Sequence, residues 1–283
     1  MRRTRLGQAR ALSSKLMFVL IALAFVGSGY LIGRYFLASL LQRTPENGHP
    51  VITPPDGGVG NGTTTPITAS IQLSPLTLYK VQIGAYSTRD NAERTANAAL
   101  DKGVGAAVMS PDPLYKVYCG LAGSKDAATR MATDTEPKLT GSVIGKDDKL
   151  YVGSLDVETK SFSITGPKTQ VEAIQDAYDK ADMAILSLLS FWDSKTTGQG
   201  SQVTLSTMAT DLATVKTTLS AFEPDTNLKK SYDSAVAIIA ALEDAVRAAN
   251  ESVGGDGVKS ATAMASFMNS VDTFIQETQN LTE

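Results

Sequence analysis

The feature that most constrains this chain is a strand–turn–helix unit written twice between Tyr79 and Ala132. Tyr79-Lys80-Val81-Gln82-Ile83-Gly84 aligns with Tyr115-Lys116-Val117-Tyr118-Cys119-Gly120, matching tyrosine, lysine, valine and glycine at one constant offset. The match continues past the strands: Asp90 falls on Asp126, Ala92 on Ala128, Arg94 on Arg130 and Ala96 on Ala132. Two copies are too few to bury the core of a stacked solenoid. The economical fold is an α+β domain in the order β-α-β-β-α-β, a ferredoxin/RNP-like unit with a four-stranded antiparallel sheet.

Within each copy Tyr79, Val81 and Ile83 alternate with Lys80, Gln82 and Gly84, and Tyr115, Val117 and Cys119 with Lys116, Tyr118 and Gly120. This period of two describes strands with one buried face. Ser87 or Thr88 supplies an N-cap oxygen, and Ala92, Thr95, Ala96, Ala99 and Leu100 form a helical stripe that Lys102-Gly103 closes. Two helices on one face leave the other to solvent or ligand. Gln82 brings a carboxamide to that open face, and Tyr118 a ring with a hydroxyl. Further on, Ser142-Val143-Ile144 and Leu150-Tyr151-Val152 are short strand candidates joined by the turn Gly145-Lys146-Asp147-Asp148. The first is expected to complete the sheet, the second to add an edge or lead away from it.

These residues resemble the SPOR (sporulation-related repeat) domain family. Val81-Gln82-Ile83-Gly84-Ala85-Tyr86 resembles its opening Val-Gln-x-Gly-x-aromatic motif, followed by a helix with Asn91-Ala92-Glu93. Tyr115-Lys116-Val117-Tyr118-Cys119-Gly120 resembles its second-half Tyr-Arg-Val-x-Val-Gly motif, with lysine in place of arginine. Ala122 stands where the family usually has an aromatic residue, and Cys119 replaces a β-branched one. The resemblance covers roughly Leu76 to Leu155. It implies binding to peptidoglycan, in particular to glycan strands stripped of stem peptides, and recruitment to division or sporulation septa. With it, Gln82, Tyr118, Tyr86, Lys80 and Lys116 become the candidate glycan-binding residues. The overall plan is similar to that of membrane-anchored stage II sporulation proteins.

The flanks carry a strong charge asymmetry beneath a net charge of −3. Before Thr44 stand six arginines and Lys15 with no acid, whereas the region after Pro167 is acidic, with Arg247 its only arginine. Leu16 to Gly33 has no charge and apolar residues resume after Arg34, long enough for the ~20 residues that cross a bilayer. Five basic residues precede this segment, so a cytoplasmic tail (1–15), a transmembrane helix (16–37) and extracytoplasmic domains are expected in a single-pass membrane protein. A cleaved signal peptide ending near Ala22-Leu23-Ala24 is the rival reading. Residues 38–75, crowded with Pro, Gly and Thr, read as linker, and the SPOR-like domain is placed at 76–158.

Residues 166–283 read as an all-α C-terminal four-helix bundle. Gly166-Pro167 starts a stripe of Val171, Ile174, Tyr178, Ala181, Ile185, Leu188 and Trp192; Gly198-Gln199-Gly200, Pro224 and Gly254-Gly255 punctuate three more. One histidine, His49 in the linker, and one cysteine, Cys119, leave no zinc set, thiol pair or histidine triad. No cofactor, metal, catalytic residue or nucleic-acid partner is expected. The expected partners are glycan strands, the membrane through its single helix, and an unidentified protein on the bundle. Two alternatives stand: a wall-lytic enzyme or activator that uses the SPOR-like domain for targeting, since paired carboxylates can cut glycan unaided, and a protein-binding septal scaffold.

Overall fold

A computed structural model describes residues 66–109, 113–197, 202–254 and 257–282. The tail expected at 1–15, the membrane helix expected at 16–37 and the expected linker through residue 65 lie outside the described residues. Among the described residues, no helix is long and apolar enough to cross a membrane.

The duplicated region folds as β2 (Leu76–Tyr86), α1 (Arg89–Leu100), β3 (Ala107–Met109), β4 (Tyr115–Ala122), α2 (Lys125–Leu139) and β5 (Tyr151–Val157). The strands lie in the order β3-β4-β2-β5, every neighbouring pair antiparallel. The two copies start their helices alike. The Thr88 hydroxyl accepts from the Asn91 N–H and the Ser124 hydroxyl from the Ala127 N–H, each cap residue extended. Gly103 adopts φ 71°, the left-handed stop that Lys102-Gly103 announces. Small residues on α1 and α2, among them Ala92, Ala96 and Ala128, let both helices sit close against Val81, Val117 and Cys119 in one core.

Two expectations about the sheet's surroundings are corrected. Ser142-Val143-Ile144 does not complete the sheet; β5 does. The N–H groups of all three residues reach the Leu139 carbonyl at the end of α2, and Gly141 (φ 76°) turns the chain there. Donors spent on a helix terminus cannot join a ladder. The linker stops short of residue 75. β1 (Ile67–Gln72) pairs antiparallel with β6 (Ser161–Gly166), from Ile67 opposite Gly166 to Gln72 opposite Ser161. Gly166 is required at the ribbon's end, because a Cβ there would stand 2.6 Å from a Leu228 methyl.

The C-terminal region holds four helices: α3 (Lys168–Thr197), α4 (Gln202–Ser220), α5 (Lys229–Glu251) and α6 (Gly257–Thr282). α5 packs against α3, α4 and α6, while α3 and α6 both turn a side toward the β-structure. A continuous apolar core therefore runs from the bundle into the sheet, joining Ile185, Leu188, Met268 and Phe274 to Leu78, Leu121, Met109 and Tyr118. Leu78 and Leu121 are wholly buried in this seam. Each contributes about 1.5–3 kcal/mol by leaving water. Backbone contacts fix it further: the Ser74 N–H donates to the Asp182 carboxylate (2.9 Å) and the Gly123 N–H to that of Asp193 (2.9 Å). The described residues form one compact unit.

Candidate functional site

The antiparallel register decides which side chains share a face, because directly opposed residues point the same way. Val81 stands between Gly120 and Val152, and Gly84 opposite Val117; these residues face α1 and α2. On the other face Leu78 stands beside Leu155, Lys80 between Leu121 and Gly153, and Gln82 between Tyr118 and Tyr151. The β2–β4 pairing slips between Val81 and Gln82 and again between Gln82 and Gly84, passing over Cys119 and Ile83. Such bulges let a strand change the phase of its alternation. Gly120, expected on the open side, is thereby turned to the helical side, where an added Cβ would lie 3.2 Å from the Met131 sulfur.

The second face is not open along its length. α3 and α6 cover the β4 side, so Tyr118 is only 3% exposed and belongs to the core that Phe274 and Met268 share. Its expected place on a solvent-facing surface is corrected for that reason. Burial, with the nearby Asp272 carboxylate adding to it, pushes the Tyr118 hydroxyl up to about 12. The Lys80 ammonium sits over the Tyr118 ring, 5.2 Å from its centroid. Burial first, and then the charge of Lys116, lower the Lys80 pKa. Lys116 shares the face, between Ala85 and Met109.

Tyr86 does not join them. It stands opposite Tyr115 and packs on the helical side, its hydroxyl 2.9 Å from where a Gly84 Cβ would be. Of the five candidates, the structure gathers Gln82, Lys80, Lys116 and the buried Tyr118 on one face and sends Tyr86 to the other. Gln82 remains half-buried at the edge of the covered area.

In Tyr118's stead the uncovered part presents Tyr151, 62% exposed and directly across from Gln82. A Cβ on Gly153 would lie 2.7 Å from the Tyr151 ring, so the ring lies down on the glycine rather than standing off the sheet. A flat aromatic surface beside a carboxamide suits a sugar, whose ring carries C–H groups on its faces and hydroxyl or amide groups on its rim. Sequence reading took Tyr151 only as part of a strand candidate. The signal was Tyr151-Val152-Gly153, an aromatic residue with glycine at the next same-face position.

Burial pushes the Cys119 thiol up to about 12, which keeps it protonated at neutral pH and poor as a nucleophile. Among the described residues no group of three His, Cys, Asp or Glu side chains is placed to hold a metal ion.

The ferredoxin-like sheet thus carries a carboxamide, two lysines and an exposed aromatic residue on one face. Residues 75–135 match the family model of the SPOR domain, so the chain carries a SPOR domain. This domain implies peptidoglycan binding and targeting to the septum. The match runs from Pro75, just ahead of β2, into α2, and so ends before β5 and Tyr151. Neither a curated protein nor a solved structure matches the chain.

Proposed function

We propose that this chain is a single-pass envelope protein that binds stripped peptidoglycan strands through its SPOR domain and holds its helical bundle at the septum. The observation that carries the reading is the Gln82–Tyr151 pair on the uncovered part of the SPOR sheet. The basic residues ahead of the apolar segment at 16–37 support a cytoplasmic N-terminus and an extracytoplasmic SPOR domain. Nothing in this role requires bond cleavage, and binding alone is proposed.

Preference for stripped strands has a chemical basis on this face. Removing a stem peptide at its amide bond leaves a carboxylate on the sugar. Lys80 and Lys116 lie close enough for the charge of one to disfavour that of the other, which a bound carboxylate would relieve.

The test is co-sedimentation of the detergent-solubilised full chain with isolated sacculi, before and after an amidase removes stem peptides. The intact chain is needed because the sheet shares its core with α3 and α6. Retention should rise after stripping. A chain left in the supernatant with both preparations would end the reading and turn attention to a protein partner.

A further inference from the structure

The uncovered part of the sheet is bounded by α6 in a particular way. α6 packs over β3 and β4, and its Val271 and Phe274 share a core with Tyr118 and Met109. Toward its C-terminal end it stands off from β5. There Ile275, Thr278 and Gln279 face Leu155, Val157 and Lys160 across a hollow of about 280 Å³. The helix packs on β3 and β4 rather than on β2 and β5, which leaves a face of β2 and β5 beside it. Lys80, Gln82, Gly153 and Tyr151 share that face of β2 and β5. Along the helix Asp272, Gln276 and Gln279 follow at steps of four and three, which puts them on one side. The Gln276 carboxamide donates to the Asp272 carboxylate at 2.6 Å, and Gln276 and Gln279 are exposed.

We propose that α6 forms the second wall of the glycan site, so that the saccharide lies in a cleft between the β2–β5 floor and the C-terminal half of α6. The inference rests on the SPOR reading above and adds to it that the bundle is part of the binding site rather than its cargo. The two sides complement each other for a saccharide. The floor offers a ring to stack on and cations for carboxylates; the wall offers a carboxylate and carboxamides for hydroxyl and acetamido groups. A chain entering over Tyr151 and Gln82 meets the hollow at the far end of β5. Because the bundle narrows the approach, a single strand fits where a cross-linked sheet of wall would meet α6 first.

The experiment compares Gln279→Trp with Asn280→Trp in the detergent-solubilised full chain, using amidase-stripped sacculi as the probe and Gln82→Ala as the reference for the floor. Both tryptophans are placed at exposed positions, but only Gln279 lines the hollow; its neighbour points about 100° away around the helix. Gln279→Trp should lower affinity about tenfold or more by filling the cleft, while Asn280→Trp binds like the parent and both keep the parent's unfolding temperature. If Gln279→Trp binds normally while Gln82→Ala loses binding, the wall is refuted and the SPOR reading stands. Equal losses in both tryptophan variants would also refute it, because α6 would then matter only through its general integrity. If the parent chain itself does not bind, both the reading and the inference fall.

Discussion

The residue that follows valine in the two copies of the repeat has two different fates. Gln82 and Tyr118 occupy equivalent places in one motif, stand directly opposite each other and point to the same side of the sheet. Gln82 keeps access to solvent, while Tyr118 is sealed beneath α6. The helix caps of the same two copies, Thr88 and Ser124, remain alike to within a few degrees of backbone angle. Duplication therefore governs what each copy does locally. What covers a copy is decided by a segment more than a hundred residues away, and access to solvent divides along that second line.

The comparison can be broken most forcefully at Tyr118. Tyr118→Ala should cost about 3–5 kcal/mol, whereas Gln82→Ala should stay within about 0.5 kcal/mol, both read from urea unfolding of the full chain. Equal costs would mean that the bundle does not cover the β4 side.

A second expected loss is alkaline. The Tyr118 hydroxyl and the Cys119 thiol are both pushed up to about 12 by burial. Their neutral forms fit the folded state, so their contribution is complete below their ordinary values and disappears as pH rises through the folded ones. For Cys119 the decline begins at about pH 9, and for Tyr118 at about pH 10. Thermal unfolding followed from pH 8 to 12 should show stability falling across that window, with Cys119→Ala moving the onset upward. A flat profile would place these groups in water.

On the binding side, Tyr151→Ala and Gln82→Ala should each weaken retention by stripped sacculi about tenfold, as expected for losing one stacking surface or one hydrogen-bonding group. Tyr86→Phe should leave it unchanged, since that hydroxyl lies on the helical side. Lys80→Gln should remove much of the advantage that stripping gives. The smallest effect sharpens the likeness of the copies: Thr88→Ala and Ser124→Ala should each cost about 1 kcal/mol, and by similar amounts.

How much of this was legible in the residues follows the range of the interactions. The repeat, the caps and the left-handed Gly103 are local, and the chain announces them within a few positions. Four helices after Gly166 were likewise visible from their stripes. The fourth strand was misplaced because Ser142-Val143-Ile144 has the apolar character of a strand, yet its donors are taken by the Leu139 carbonyl. β1 escaped notice because Ile67, Ala69 and Ile71 alternate over a single short run after a proline-rich stretch, and their partner lies some ninety residues on. The burial of Tyr118 was beyond pattern reading altogether. Alternation reports that a strand has two faces, and a polar or amphipathic residue on the second face is compatible with solvent or with a helix docked from elsewhere. Gln82, Lys80 and Lys116 were placed on the correct side, and Tyr151 was passed over because its neighbours in space belong to β2.

The ribbon of β1 and β6 has a topological consequence. Entering and leaving strands run side by side, so residues 73 to 160 form a closed excursion whose two ends already touch. The excursion could in principle be cut out and its ends joined by a short hairpin turn, leaving the main path of the chain from ribbon to α3 uninterrupted. A module inserted this way can be exchanged for another without disturbing the order of what precedes and follows it. What resists exchange is the surface beneath: any replacement must cover Phe274, Met268 and Leu188 as Leu78, Leu121 and Tyr118 do now.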